Sequence, residues 1–181
     1  MGRAWAGSPI QCLRRARDED PGVVVVRFGG VSLRERAALV ELCAALHRPP
    51  PQRSPVLVAL LPARHRGLLL DLQRAGVAYV RYGGPERLDS RGVRGVIAGL
   101  APEDRIDQRL AALCPFLHYQ PIDFRRELTV CGAYRDRLVL GGRRLADICE
   151  SDGHLACDYF LDPRSRPGRS AAASPSCTRP P

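Results

Sequence analysis

Four cysteines fall within 44 residues of this chain, Cys114, Cys131, Cys149 and Cys157, spaced C-x16-C-x17-C-x7-C. Each stands beside an apolar or aromatic residue, in Cys-Pro-Phe-Leu, Val-Cys-Gly-Ala-Tyr, Asp-Ile-Cys-Glu and Ala-Cys-Asp-Tyr-Phe. Four thiolates drawn from four short elements make a tetrahedral donor set that both Zn²⁺ and a [4Fe–4S] cluster accept. The common zinc ribbon uses close C-x2-C pairs, and none occurs here. A cluster is larger than one ion and takes ligands from more distant elements, so the spacing favours [4Fe–4S] over Zn²⁺. The bland alternative is four buried apolar cysteines, since Cys is among the residues most often buried.

His154, in Glu-Ser-Asp-Gly-His between Cys149 and Cys157, is the substitute ligand for a Cys3His zinc site. It equally suits a role as a hydrogen-bond donor behind the ligands, or as a turn residue. His118, four residues after Cys114, carries the same ambiguity. A nucleophile pair of Cys149 or Cys157 with His154 is the one enzyme reading the thiols allow, and no orienting third group accompanies it. The chain has no G-x-S-x-G, no P-loop and no H-E-x-x-H. Cys12 and Cys43 fall on the inner faces of expected helices and read as small apolar filler. Cys177 has no neighbouring ligand, and His47 and His65 read as helix-end residues.

The elements that must position the tetrad follow from hydrophobic period. Ile106, Leu110 and Leu113 recur at helical spacing and lead into Cys114. Beyond it, long apolar strands give way to a mainly helical or irregular texture. Such a module of some 55 residues has a thin core, which a bound metal would supplement.

Upstream, the pattern is α/β. Residues 8–17 form a short helix capped by Ser8 with Pro9 in its first turn. Val23–Phe28, Val56–Leu61 and Val77–Tyr82 are apolar runs suited to strands buried on both faces. Between them, Ser32-Leu33-Arg34-Glu35 is a capping box opening a helix to about His47, and a second helix spans about Arg66–Ala75 before Gly76. Pro49-Pro50-Pro51 makes a stiff connection after the first. A weaker helix covers about 86–99. Alternation of this kind implies a parallel sheet of three strands, or four if one is unrecognised, with flanking helices: an incomplete flavodoxin-like fold. The expected division is an α/β domain over 8–100, a four-cysteine module over 101–162, and a disordered tail over 163–181, rich in Pro, Ser, Ala and Arg.

On the stretches CLRRARDEDPGVVVVR, SPVLVALL and LLLDLQRAGVAYVRYGGP, residues 10–97 resemble the later part of a response-regulator receiver domain. The resemblance implies a docking scaffold for another protein, without phosphotransfer. Arg27 stands where the phosphoacceptor Asp belongs, Pro62-Ala63 replaces the Ser/Thr, Gly84 replaces the Lys, and the acidic pair is absent. Residues 114–160 resemble uncharacterised bacterial cysteine modules regarded as metal-binding, which implies the same four-cysteine ligand set.

The formal charge of +9 comes from 28 Arg with no Lys. It is spread as +1 over 1–21, +5 over 22–104, −1 over 105–162 and +4 over 163–181. A nucleic-acid surface concentrates charge on folded structure among aromatics. A scattered solvated charge is the simpler reading, with an Arg-rich nucleic-acid-binding factor as the alternative. No apolar run reaches the roughly 18–20 residues needed to span a bilayer, and no signal-peptide pattern opens the chain. The chain therefore reads as cytoplasmic, with thiols the default state of its cysteines.

Overall fold

The computed structural model describes residues 6–47, 54–84, 89–135 and 138–164. Residues 165–181 of the expected tail, Cys177 among them, and the triple-proline connection lie outside these. The described chain forms two compact units, residues up to 112 with 121–126, and residues 113–120 with 127 onward.

The first unit is the expected α/β layer. Helix α1 (Pro9–Glu19) starts at Ser8, whose side chain accepts from the Gln11 N–H. Strands β1 (Val23–Arg27), β2 (Val56–Leu61) and β3 (Tyr79–Tyr82) pair in parallel in that order. In β2, residues Leu57 to Leu61 are all at most 2% exposed, so this strand is covered on both faces. Val58 and Leu60 pack with Val96 of helix α4 (Ser90–Ala98). Helices α2 (Leu33–Leu46) and α3 (Arg66–Arg74) contribute the buried Leu42, Cys43, Leu46, Leu68, Leu69 and Leu72. The capping box forms as read: Glu35 N–H donates to Ser32 Oγ, and Ser32 N–H donates to Glu35 Oε2 at 2.7 Å. After α3 the chain turns at Gly76 with φ +80°, where a Cβ would also run into the His47 ring.

Three differences from the sequence reading have physical causes. Helix α4 begins at Ser90, because Asp89 caps the Arg91 and Gly92 amides, and residues 85–88 lie outside those described. The boundary expected at 101 falls near 112. Ile106 N–H donates to the Ala78 carbonyl, and Tyr79 bridges Arg105, so helix α5 (Ile106–Ala111) is fastened to β3. Asp104 accepts from the Ala101 N–H at 3.1 Å at this helix start and is also a buried ion-pair residue: its Oδ1 lies 2.6 Å from Arg109 Nη2 and its Oδ2 3.7 Å from Arg81 Nε. No fourth strand joins the parallel sheet among the described residues; the Tyr79–Arg105 bridge stands at that edge.

The second unit is mainly short helical turns and irregular chain, as read, but it also has strands that the sequence reading did not expect. It contains a three-stranded sheet of β4 (Leu117–Pro121), β5 (Glu127–Cys131) and β6 (Leu138–Leu140), with β5 in the centre and antiparallel to β6. These strands have three to five residues each, too short for a period-two pattern to stand out, and non-local pairing makes them strands. The loop 121–126 belongs to the first unit, where Leu33 N–H donates to the Phe124 carbonyl. After β6 come the single turn α6 (Gly142–Arg144), a π turn over Leu145–Cys149, a 3₁₀ turn over Asp152–Ala156, and α7 (Asp158–Leu161).

Candidate metal centre

Each cysteine of the tetrad sits where a short element ends. Cys114 follows the first unit's last helix and precedes β4. Its N–H donates to the Cys149 carbonyl at 2.8 Å, a backbone tie between two cysteines 35 positions apart. Cys131 ends β5 opposite Leu138. The next residue, Gly132, donates its N–H to the Phe116 carbonyl at 2.8 Å, and the His118 ring occupies the space where a Cβ at 132 would stand. Cys149 closes the π turn, a one-residue widening of a helix that recurs at functional sites. Cys157 lies in extended conformation between the 3₁₀ turn and α7.

These placements bring Cys114, Cys131 and Cys149 into one buried apolar cluster with Leu117, Ala133 and Leu140. Phe116, Tyr119, Ile148, Tyr159 and Phe160 pack around it. Cys157 is half-buried. Burial, and then the neighbouring Cys114, Cys131 and Cys157 sulfurs, push the Cys149 thiol up to about 11. Arg144 opposes this. Its guanidinium stands 5.5 Å from the centroid of the Tyr159 ring. Neither Arg144 nor Tyr159 was legible as part of the site, because only the π turn and α7 place them there. The runs Arg-Arg at 143–144 and Tyr-Phe at 159–160 were the available signals.

As their side chains stand, no three His, Cys, Asp or Glu groups among the described residues lie at metal-ligand spacing. The thiols are gathered without being closed on one point. Their chemistry nevertheless fits a soft metal: four sulfur donors, three of them screened from water, in apolar surroundings.

The substitute ligand is placed differently. His154 is 3% exposed, its Nδ1 lies 2.6 Å from the Ser151 carbonyl, and its ring meets Phe160 edge-on at 5.2 Å. It is a buried ring behind the 3₁₀ turn, engaged through Nδ1. His118 lies on β4 against Gly132. His65 caps α3 through Nδ1, 2.9 Å from the Leu68 N–H, and His47 is an exposed helix-end residue, as read. Cys12 and Cys43 are free, and Cys43 is fully buried on α2, with its thiol pushed up to about 12 by burial and then by Cys12.

A cavity of about 260 Å³ opens at the carboxyl end of β2 and β3, lined by Leu60, Arg81, Tyr82, Gly83, Gly84, Gly92, Gly95 and Val96. No helix among the described residues is long and apolar enough to cross a membrane. No protein-family model, curated protein or solved structure matches this chain.

Proposed function

We propose that this chain is a binding or sensing adaptor whose second unit holds a metal centre on Cys114, Cys131, Cys149 and Cys157, a [4Fe–4S] cluster in preference to Zn²⁺. The observation that carries this reading is the gathering of three cysteines, distant in sequence, into one buried cluster within electrostatic reach of the fourth. The sequence spacing, which lacks the close C-x2-C pairs of the common zinc ribbon, favours the larger cofactor. When bound, a cluster supplies redox and oxygen sensitivity, whereas zinc supplies rigidity alone.

The protein's own part is to gather and shield the sulfurs. The Cys114–Cys149 backbone tie and the Gly132–Phe116 bond fix three ligand-bearing segments, and Phe116, Tyr159 and Phe160 limit water. Arg144 adds positive charge where four thiolates would leave a net negative site. The α/β unit, receiver-like without phosphoacceptor chemistry, is the docking surface for another protein in a cytoplasmic setting. A thiol enzyme needs a lowered thiol pKa, and Cys149 is displaced the other way.

Metal analysis of anaerobically purified protein beside Cys131→Ser tests the reading. The wild type should contain iron and acid-labile sulfide in equal amounts and absorb near 400 nm, and Cys131→Ser should lose both. Zinc in place of iron would leave the ligand set and change the cofactor. Metal-free wild-type protein that also takes up neither zinc nor a reconstituted cluster would overturn the proposal.

A further inference from the structure

The cavity at the carboxyl end of β2 and β3 lies wholly in the first unit, and the metal-centre reading leaves it without a role. It is open because side chains are missing from its rim. Gly83 and Gly84 carry the chain out of β3, and Gly92 and Gly95 stand three apart on one face of α4. A Cβ at Gly95 would meet no described atom within 4 Å, and one at Gly84 would meet only Leu60 Cδ1, at 3.3 Å. Leu60 and Val96 pack together as an apolar floor. Leu60 and Arg81 are register partners in neighbouring parallel strands, so Arg81 leaves the sheet on the face that α4 covers. Its guanidinium is held in place: Nη1 donates to the Val96 carbonyl at 3.3 Å, and Nε lies 3.7 Å from Asp104 Oδ2. Gly99 ends α4 at φ −97°, which any residue adopts, yet a Cβ there would stand 2.9 Å from Arg81 Nη1. The glycine at 99 therefore makes room for the arginine. Asp104 is paired more closely with Arg109, at 2.6 Å, so it offsets the Arg81 charge only in part. Among the described residues, no carboxylate lines the cavity.

We propose that this cavity binds a small organic monocarboxylate, with its carboxylate on Arg81 and a compact apolar body over Leu60 and Val96. Arg81 is the one cation in the described lining, which matches a single negative charge better than a phosphate dianion. A guanidinium fixed before the ligand arrives loses little freedom on pairing, and its planar fork suits the two oxygens of a carboxylate. A volume of about 260 Å³ falls below the roughly 300–1,000 Å³ of drug-sized pockets, which restricts the ligand to a small one. The amides at the start of α4 are not the recognising groups, since Arg91 and Gly92 donate theirs to Asp89. The site shares no residue with the cysteine cluster, so it stands apart from the metal-centre reading.

Titration of the isotope-labelled full chain, followed by amide NMR at physiological salt, tests this. The probes are benzoate and 3-methylbutanoate, with benzamide as the neutral counterpart and inorganic phosphate as the competing anion. At least one carboxylate should shift the Gly83, Gly84 and Gly95 amides saturably, with a millimolar Kd. Benzamide should bind at least tenfold more weakly, and phosphate more weakly than the better carboxylate. Arg81→Gln should lose at least tenfold in affinity. Because that change also removes the Asp104 contact, Gly95→Leu is the second variant. It fills the cavity, leaves Arg81 in place and puts a stronger helix former in α4, so it should fold and lose at least tenfold in affinity. The proposal is overturned if neither carboxylate gives saturable shifts at these amides, or if Gly95→Leu binds as well as wild type. Equal binding of benzamide, undiminished binding by folded Arg81→Gln, or tighter binding of phosphate overturns it as well.

Discussion

Cys43 and Cys149 show how burial acts on a thiol. Both are kept protonated, Cys43 up to about 12 and Cys149 up to about 11, from an ordinary value of 9.0. A buried thiol favours its neutral form because the thiolate loses its hydration. The contribution to stability is therefore complete below about pH 9 and is lost as pH rises through the folded-state values. Metal-free protein should lose stability between about pH 9 and 12, and Cys43→Ala should flatten the upper part of that decline, as read by urea titrations at fixed pH. Arg144 acts in the opposite sense on Cys149. Arg144→Gln should raise the Cys149 thiol further and weaken metal binding several-fold, measured by competition with a chelator. An unchanged affinity would mean that solvent screens this exposed guanidinium from the site.

Among the elements, short-range signals were read well and long-range ones were not. Ser8, Ser32 and Pro9 announced their helices because capping is chemistry among residues within one turn. Ser32→Ala should cost about 1 kcal/mol, seen as a lower denaturation midpoint. Gly76 was read as a helix stop, and the structure adds that its φ of +80° and the His47 ring leave no room for a side chain. Gly76→Ala should cost about 1–3 kcal/mol for the left-handed backbone. The ion pairs of Asp104 were not legible because its partners Arg81 and Arg109 lie on other elements. Asp104→Ala leaves the half-buried Arg109 without its carboxylate, and should destabilise the first unit by about 3 kcal/mol, with loss of amide protection around Ile106. The sheet of β4, β5 and β6 escaped reading for a related reason. Strands of three to five residues carry almost no periodicity, and their identity comes from the partner strand.

For the whole molecule, the two units have different sources of stability. The first contains the closely packed parallel sheet. The second has a smaller apolar cluster built around sulfur. Stripping metal anaerobically from loaded protein should accelerate amide exchange at Cys114 and Gly132, whose N–H groups bond within the cysteine cluster, while Leu57–Leu61 keeps its protection. Uniform acceleration in both units would show that the metal does not act locally. The charge of +9 also belongs at this scale. Steeply salt-dependent retention of nucleic acid would revive the Arg-rich alternative, and its absence at low ionic strength would remove it. What the sequence determined alone was the parallel α/β layer with its caps and stops, because strand burial, helix period and capping are written in residues adjacent or one turn apart. Tertiary structure alone decided that Cys114, Cys131 and Cys149 share a buried cluster, that Cys157 is only half-buried, that His154 turns onto Phe160, and that Tyr159 packs against the cluster with Arg144 over its ring. Those facts depend on contacts between residues tens of positions apart, and linear spacing fixes no distance once the chain turns back on itself.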